Sequence, residues 1–225
     1  MGILIAIDGV DASGKQTQTE KLFERLKDAE VNVRMISFPA YDKPSSVLVK
    51  EYLNGDYGKK AEDVNAYAAS VLFAADRFST FKKDWIEDYN NGVVIIADRY
   101  VSSNMIHQAG KISDVAEKDE FLDWVWDLEF KKFGLPEPEK TIFLDMPTEY
   151  GLKLMANRNN KITGEEQKDI HEDDREYMKK SYDNAFYVAK KFGWTTISCV
   201  KDGEIRTIDE INDEIYDMVI ENITT

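Results

Sequence analysis

Short apolar runs alternate along the chain with longer stretches in which apolar residues recur every three or four positions. The runs fall at about Ile3–Ile7, Val33–Ser37, Val93–Ala97, Lys140–Leu144 and Thr195–Val200, each bounded by charged or turn residues. They are apolar throughout rather than alternating, which is the pattern of parallel strands covered on both faces. Helical periodicity fills the intervals, at about Lys15–Ala29, Ser45–Leu53, Ala61–Tyr89, Asp114–Lys132, Thr148–Asn157, Glu172–Phe192 and Thr207–Asn222. Strand-then-helix order, repeated, predicts a three-layer α/β/α sandwich around a five-stranded parallel sheet with right-handed crossovers. One segment breaks the rhythm. Asn157–Asp169 (NRNNKITGEEQKD) is polar and charged, with no periodic apolar face. It reads either as a surface loop or as a lid that closes over a ligand. No repeat or low-complexity tract divides the 225 residues, a length that suits one domain.

Charge narrows the function classes. The chain carries 29 Lys and Arg against 43 Asp and Glu, a net charge of −14. A nucleic-acid polymer needs a positive field over a broad surface, so that class of partner is not expected. A small anionic substrate remains possible if the few cations are concentrated at one place and backbone N–H groups assist them. The single cysteine, Cys199, excludes a disulfide framework and reads as a buried strand residue. No apolar run approaches membrane-spanning length, and MGILIAIDG lacks the basic region of a signal peptide. A cytoplasmic enzyme is the expectation.

Candidate chemistry begins directly after the first strand. Gly9-Val10-Asp11-Ala12-Ser13-Gly14-Lys15-Gln16 fits G-x-x-x-x-G-K, preceded by an apolar strand and followed by an amphipathic helix. Gly9 and Gly14 allow backbone N–H groups to converge on phosphate oxygens, with Ala12 and Ser13 between them. The helix N-terminus adds its positive end, and Lys15 adds a mobile cation. Gln16 stands where a metal-ligating hydroxyl is usual. Its amide oxygen, Thr17 through a phosphate contact, or water and carboxylates are the alternatives. Asp11 inside the loop is costly beside phosphate unless it meets a hydroxyl or a cation.

Two further groups share that sheet edge. Asp98-Arg99-Tyr100 follows the third apolar run, where open α/β sheets bind their ligands. An Asp there can hold Mg²⁺ through water, and an Arg can bridge phosphoryl groups, although a structural ion pair would place the same residues. Phe73 and Arg77 lie four apart on one helix face. They suit either base stacking and edge reading, or a core aromatic with a surface ion pair. Phe38-Pro39 adds a rigid apolar turn after the second strand.

The loop acid, the Phe-Pro turn, then L-F-A-A-D-R and D-R-Y-V-S-S-N, in this order and spacing, resemble the thymidylate kinase family. The likeness is sharp from Ile3 to about Gln108 and looser through Phe143-Leu144-Asp145 to Tyr182. The resemblance implies a P-loop NTPase-type fold with a mobile lid at about residues 157–170, transfer of the ATP γ-phosphoryl group to dTMP with Mg²⁺, and a homodimer packed through helices such as Ala61–Tyr89. By matching position, it implies that Lys15 and the loop amides from Gly9 to Thr17 hold ATP, and that Asp11 bonds the 3′-hydroxyl of dTMP. It implies that Phe73 stacks on thymine, that Arg77 and Asn104 read the base, with Phe38, Pro39 and Ser103 beside it, and that Arg99 reaches the acceptor phosphate. Asp98 would organise Mg²⁺, with Gln16 or Glu172 as a further ligand. Asp169 and Glu172 resemble family acids near the dTMP phosphate and metal. His107 falls where the family often has Tyr near the sugar, although an exposed polar His would look the same. Ala40 and Tyr41 occupy ground where many relatives carry a phosphate-binding Arg, leaving Lys43 or Lys50 as substitutes. The loop also lacks the Arg that some relatives place within it, which makes Arg158 and Lys161 candidates for that charge.

Overall fold

The computed structural model describes residues 1–159 and 175–223, with side chains over 1–154 and 176–223. Five strands form one parallel sheet: β1 (Leu4–Gly9), β2 (Val33–Ser37), β3 (Val94–Asp98), β4 (Lys140–Asp145) and β5 (Thr195–Ser198), in the order β2-β3-β1-β4-β5. The flanking helices are α1 (Lys15–Asp28), α2 (Val47–Leu53), α3 (Ala66–Thr80), α4 (Ile86–Asn90), α5 (Val101–His107), α6 (Val115–Trp126), α7 (Thr148–Asn159), α8 (Arg175–Phe192) and α9 (Ile208–Ile223). Pleating sends alternate residues of β1 to opposite layers. Leu4 and Ala6 join Phe81, Trp85, Phe121 and Val125 on one face, while Ile5 and Ile7 join Leu22, Leu26, Ile211 and Ile215 on the other. The central strands are therefore buried on both sides, as their unbroken apolar sequence requires.

Strand bounds match the expected runs to within about two residues, the last being cut short by two. There the sheet strand ends at Ser198, and Val200–Lys201 (β6) pairs antiparallel with Glu204–Ile205 (β7) in a separate hairpin. Cys199 is fully buried as expected, but it lies just past β5, where its N–H bonds Asp145 O. Burial also pushes its thiol up to about 12. The short helix α5, directly after Asp98-Arg99-Tyr100, has no counterpart among the expected elements. Two helices contain a widened π-helical turn, at Phe81–Trp85 between α3 and α4 and at Asp127–Lys132 after α6. Among the described residues, no helix is long and apolar enough to cross a membrane.

The topology leaves the C-terminal ends of β1, β2 and β3 side by side, so the loop after each strand opens on the same edge. Register places Ile7 beside Asp98, and Ser37 beside Asp98 as well. The phosphate loop, the Phe38-Pro39 turn and Asp98-Arg99 therefore converge, far apart though they are in sequence.

Candidate active site

The loop from Gly9 to Lys15 alternates between right- and left-handed backbone, with Ala12 at φ 59° and Gly14 at φ 82°. Such alternation curls successive N–H groups around a concavity suited to anions. A Cβ on Gly9 would lie 2.5 Å from Ser13 Oγ and 3.1 Å from Leu144 O, so the strand-to-loop turn demands glycine. Lys15 is buried, with Nζ donating to Val10 O at 2.9 Å. Burial, reinforced by the nearby Arg99 charge, depresses its ammonium to about 8, although Asp11 opposes the shift.

Arg99 sits at φ 64°, a left-handed conformation that few residues with a side chain adopt. It donates to Asp11 Oδ1 at 2.5 Å, and its other Nη lies 3.2 Å from His107 Nε2. The loop acid thus meets a cation, and the carboxylates Asp11, Asp8 and Asp98 hold the guanidinium protonated against its burial. Asp98 is largely buried, which raises its carboxyl above the usual range despite Lys15 and Arg99. Ser37 Oγ donates to its Oδ2 at 3.3 Å, while its buried Oδ1 has no hydrogen-bond partner among the described residues.

Two cavities meet at this loop. One is lined by Asp11, Phe38, Pro39, Phe73, Arg77 and Arg99, together with Ser103, Asn104 and His107. All nine residues assigned from the sequence to the second nucleotide therefore share one pocket. The other, of about 940 Å³, is lined by Ala12, Ser13, Gly14 and Thr17 beside an apolar wall that includes Met146, Ile205 and Ile208. Asp11 and Ala12, adjacent in the chain, are the seam between them.

Particular expectations resolve differently. Arg77 is ion-paired, but inside the protein rather than on its surface, with Nε and Nη2 each 2.6 Å from Glu129. Phe73 is half-buried, packs edge-on against Tyr52 and lines the pocket. His107 is buried rather than exposed. Gln16 points along α1, its exposed amide donating to Glu20 at 2.9 Å. Among the described residues neither Lys43 nor Lys50 lines the pocket, and Lys43 instead pairs with Asp42 and Asp84. Among the described residues the cations lining it are Arg77 and Arg99. The side chain of Arg158, with Lys161, Asp169, Glu172 and most of the expected lid segment, lies outside the described residues.

Sequence reasoning passed over four buried polar groups. Asp8 accepts from Ser102 Oγ at 2.7 Å and Ser103 Oγ at 2.8 Å, tying β1 to the start of α5. Asp76 accepts from Ala40 N at 2.8 Å and Ser45 Oγ at 2.5 Å, anchoring the segment after the cis Phe38-Pro39 bond. Gln108 lines the pocket, and Glu129 pairs with Arg77. Asp8 carried a signal, being an acid inside an apolar strand. So did Glu129, which continues the stripe Phe121, Val125 at helical spacing.

Strand order, phosphate loop and flanking helices define an α/β fold of the P-loop NTPase type. A family model described as thymidylate kinase matches residues 7–191, and the chain belongs to the thymidylate kinase family. It is 33% identical to the thymidylate kinase of Mycobacterium tuberculosis over 181 residues, 80% of this chain and 82% of the relative. It is 28% identical to that of Schizosaccharomyces pombe over 218 residues, covering 97% of this chain and 91% of the relative. Identity to the human thymidylate kinase is 31% over 146 residues, 64% of this chain and 61% of the relative.

Proposed function

We propose that this chain, as one domain, phosphorylates dTMP to dTDP with ATP as donor. The carrying observation is a pair of cavities lined by the chain neighbours Asp11 and Ala12, one beside the phosphate loop and one lined by aromatic and hydrogen-bonding side chains. A nucleotide-binding switch would have no use for the second cavity.

Phosphoryl transfer asks little covalent chemistry of the protein: placement in line, exclusion of water and neutralisation of charge. The dTMP phosphate oxygen is already ionised, so no strong general base is needed. Lys15 and the loop amides hold the donor phosphates. Arg99, half-buried and held protonated by the carboxylates around it, bridges toward the acceptor phosphate and positions Asp11 against the sugar. Phe73 covers the thymine ring, while Arg77 and Asn104 read its edge. The charge that some relatives supply from within the loop is assigned, from the sequence alone, to Arg158.

Mg²⁺ fits this arrangement. Among the described residues no group of three or more His, Cys, Asp or Glu could hold a metal ion. The unpartnered Oδ1 of Asp98 suits an ion held through water, and Gln16, turned to Glu20, does not face the loop. When bound, the ion neutralises charge on the transferring phosphate. Val71 and Phe78, exposed on α3 with Ala68 and the partly covered Ala75 on the same stripe, suit the packing of two copies into a homodimer. The reading places the enzyme in the cytoplasm.

The test is substitution. Lys15→Ala and Arg99→Ala should each lower dTMP turnover by orders of magnitude while circular dichroism stays native. Near-normal dTDP formation by both variants would refute the proposal.

A further inference from the structure

Glu129 lies outside the pocket lining, fully buried, yet it is bonded to both side chains proposed to read the base. Its Oε2 accepts from Arg77 Nε at 2.6 Å, while Oε1 accepts from Arg77 Nη2 at 2.6 Å and from Asn104 Nδ2 at 3.1 Å. The second N–H of the Asn104 amide goes to Ser70 O, also at 3.1 Å. A carboxylate and a backbone carbonyl are both pure acceptors, so they admit only one orientation of that amide. Both of its donors are consumed, and Oδ1 is left as the atom Asn104 can offer a ligand. Arg77 spends two N–H groups on Glu129, with Nη1 3.4 Å from Tyr100 O, so of its five donors two remain. At the proposed base edge the Asn104 Oδ1 acceptor is thereby set beside the remaining donors of Arg77.

The backbone around Glu129 supports a positioning role. The residue sits in the π-helical turn Asp127–Lys132, whose extra residue per turn costs regular hydrogen bonding and is retained mostly where a side chain must be aimed. Phe121 and Val125 on the preceding turns of the same stripe pack into the apolar core. Glu129 continues that stripe into a place where an unpaired carboxylate would be severely penalised.

We infer that Glu129 is a specificity-positioning residue that, by locking Arg77 and the Asn104 amide together, selects a pyrimidine carrying N3–H beside a ring carbonyl against one carrying an N3 acceptor beside an amino group. The inference rests on the proposed thymidylate reading, and it concerns how the site rejects a cytosine monophosphate. Without Glu129 the amide is held by Ser70 O alone. It can then turn to present Nδ2, which suits the cytosine edge.

The experiment measures kcat/KM for dTMP and for dCMP in wild type, Glu129→Gln and Glu129→Asp, alongside thermal melts. Glu129→Gln places a donor against one of its two partners. Glu129→Asp keeps the charge that Arg77 requires but is too short to serve both partners, and it carries the test if the first variant does not fold. The expected result is a dTMP-to-dCMP ratio at least tenfold lower than wild type in each folded variant. A purely structural role would lower both substrates together, so a ratio within twofold of wild type overturns the inference. A wild-type protein that does not phosphorylate dTMP would instead overturn the functional reading itself.

Discussion

Replacing Arg77 by Met separates what the Arg77–Glu129 pair does for the fold from what it does for the substrate. Both side chains are almost wholly buried, at 2% and 0% exposure, and they share two short charge-assisted bonds. Arg77→Met leaves Glu129 with only the Asn104 amide as a partner, an uncompensated charge in the core. Breaking a buried pair in this way costs about 3–5 kcal/mol. That is a large share of the roughly 5–15 kcal/mol that holds a domain folded. At about 2–4 °C per kcal/mol for a chain of this size, the melting temperature should fall by about 6–20 °C. Removing the second charge as well, in Arg77→Met/Glu129→Leu, should recover most of that loss, because two well-packed apolar side chains are commonly as stable as the ion pair. Activity should not recover with it. A specific side-chain contact to a base edge is worth about 1–3 kcal/mol, so kcat/KM for dTMP should stay about 5- to 150-fold below wild type. The assays are thermal melts by circular dichroism and coupled ADP release. The reasoning fails if Arg77→Met melts within about 2 °C of wild type, or if the double variant regains wild-type kcat/KM.

Other perturbations test other parts of the site. With Lys15 depressed to about 8 in the nucleotide-free protein, the cation is present below that pH and lost above it. Because kcat/KM reports the free enzyme, kcat/KM for ATP should be level below about pH 8 and fall above it. The limb in kcat should lie higher, since bound phosphates favour the ammonium; a profile flat from about pH 7 to 10 would contradict the assignment. The stability sign runs the other way: between about 8 and the ordinary value 10.5 the unfolded chain binds more protons at Lys15, so this group adds stability as pH rises through that window. Gly9→Ala drives a methyl group to 2.5 Å from Ser13 Oγ, and it should cost about 1–3 kcal/mol in urea unfolding together with ATP affinity by titration. Asp98→Asn should raise the Mg²⁺ concentration for half-maximal rate by about 10- to 100-fold in a metal titration, and an unchanged requirement would count against the water-mediated role.

The sheet was legible because five largely apolar runs, near-continuous in the central strands, leave few alternatives for a chain of this length, and their register brings three loops to one edge. The phosphate loop and the aromatic and Arg positions were legible as residue types whose chemistry is specific. The remainder was set by tertiary contact. The seven-residue helix α5 has too little periodicity to announce itself, and its position is fixed by Asp8 holding Ser102 and Ser103. Arg77 lines the pocket, but its partner lies 52 residues away on a π-helical turn that has no local sequence signature. Gln16 shows the converse: the loop motif draws attention to it, whereas a neighbour one helical turn away, Glu20, takes its side chain.

In the proposed reaction two cavities, one lined by Asp11 and the other by its chain neighbour Ala12, bring the ATP γ-phosphate to a thymidylate phosphate. It is tested most directly by ADP release from ATP and Mg²⁺, measured in turn with dTMP, dUMP, UMP, GMP and thymidine, with the product separated by anion-exchange chromatography. The highest kcat/KM is expected with dTMP, with a product that co-elutes with dTDP. Consumption of thymidine in preference to dTMP, or ADP release indifferent to every acceptor, would contradict it.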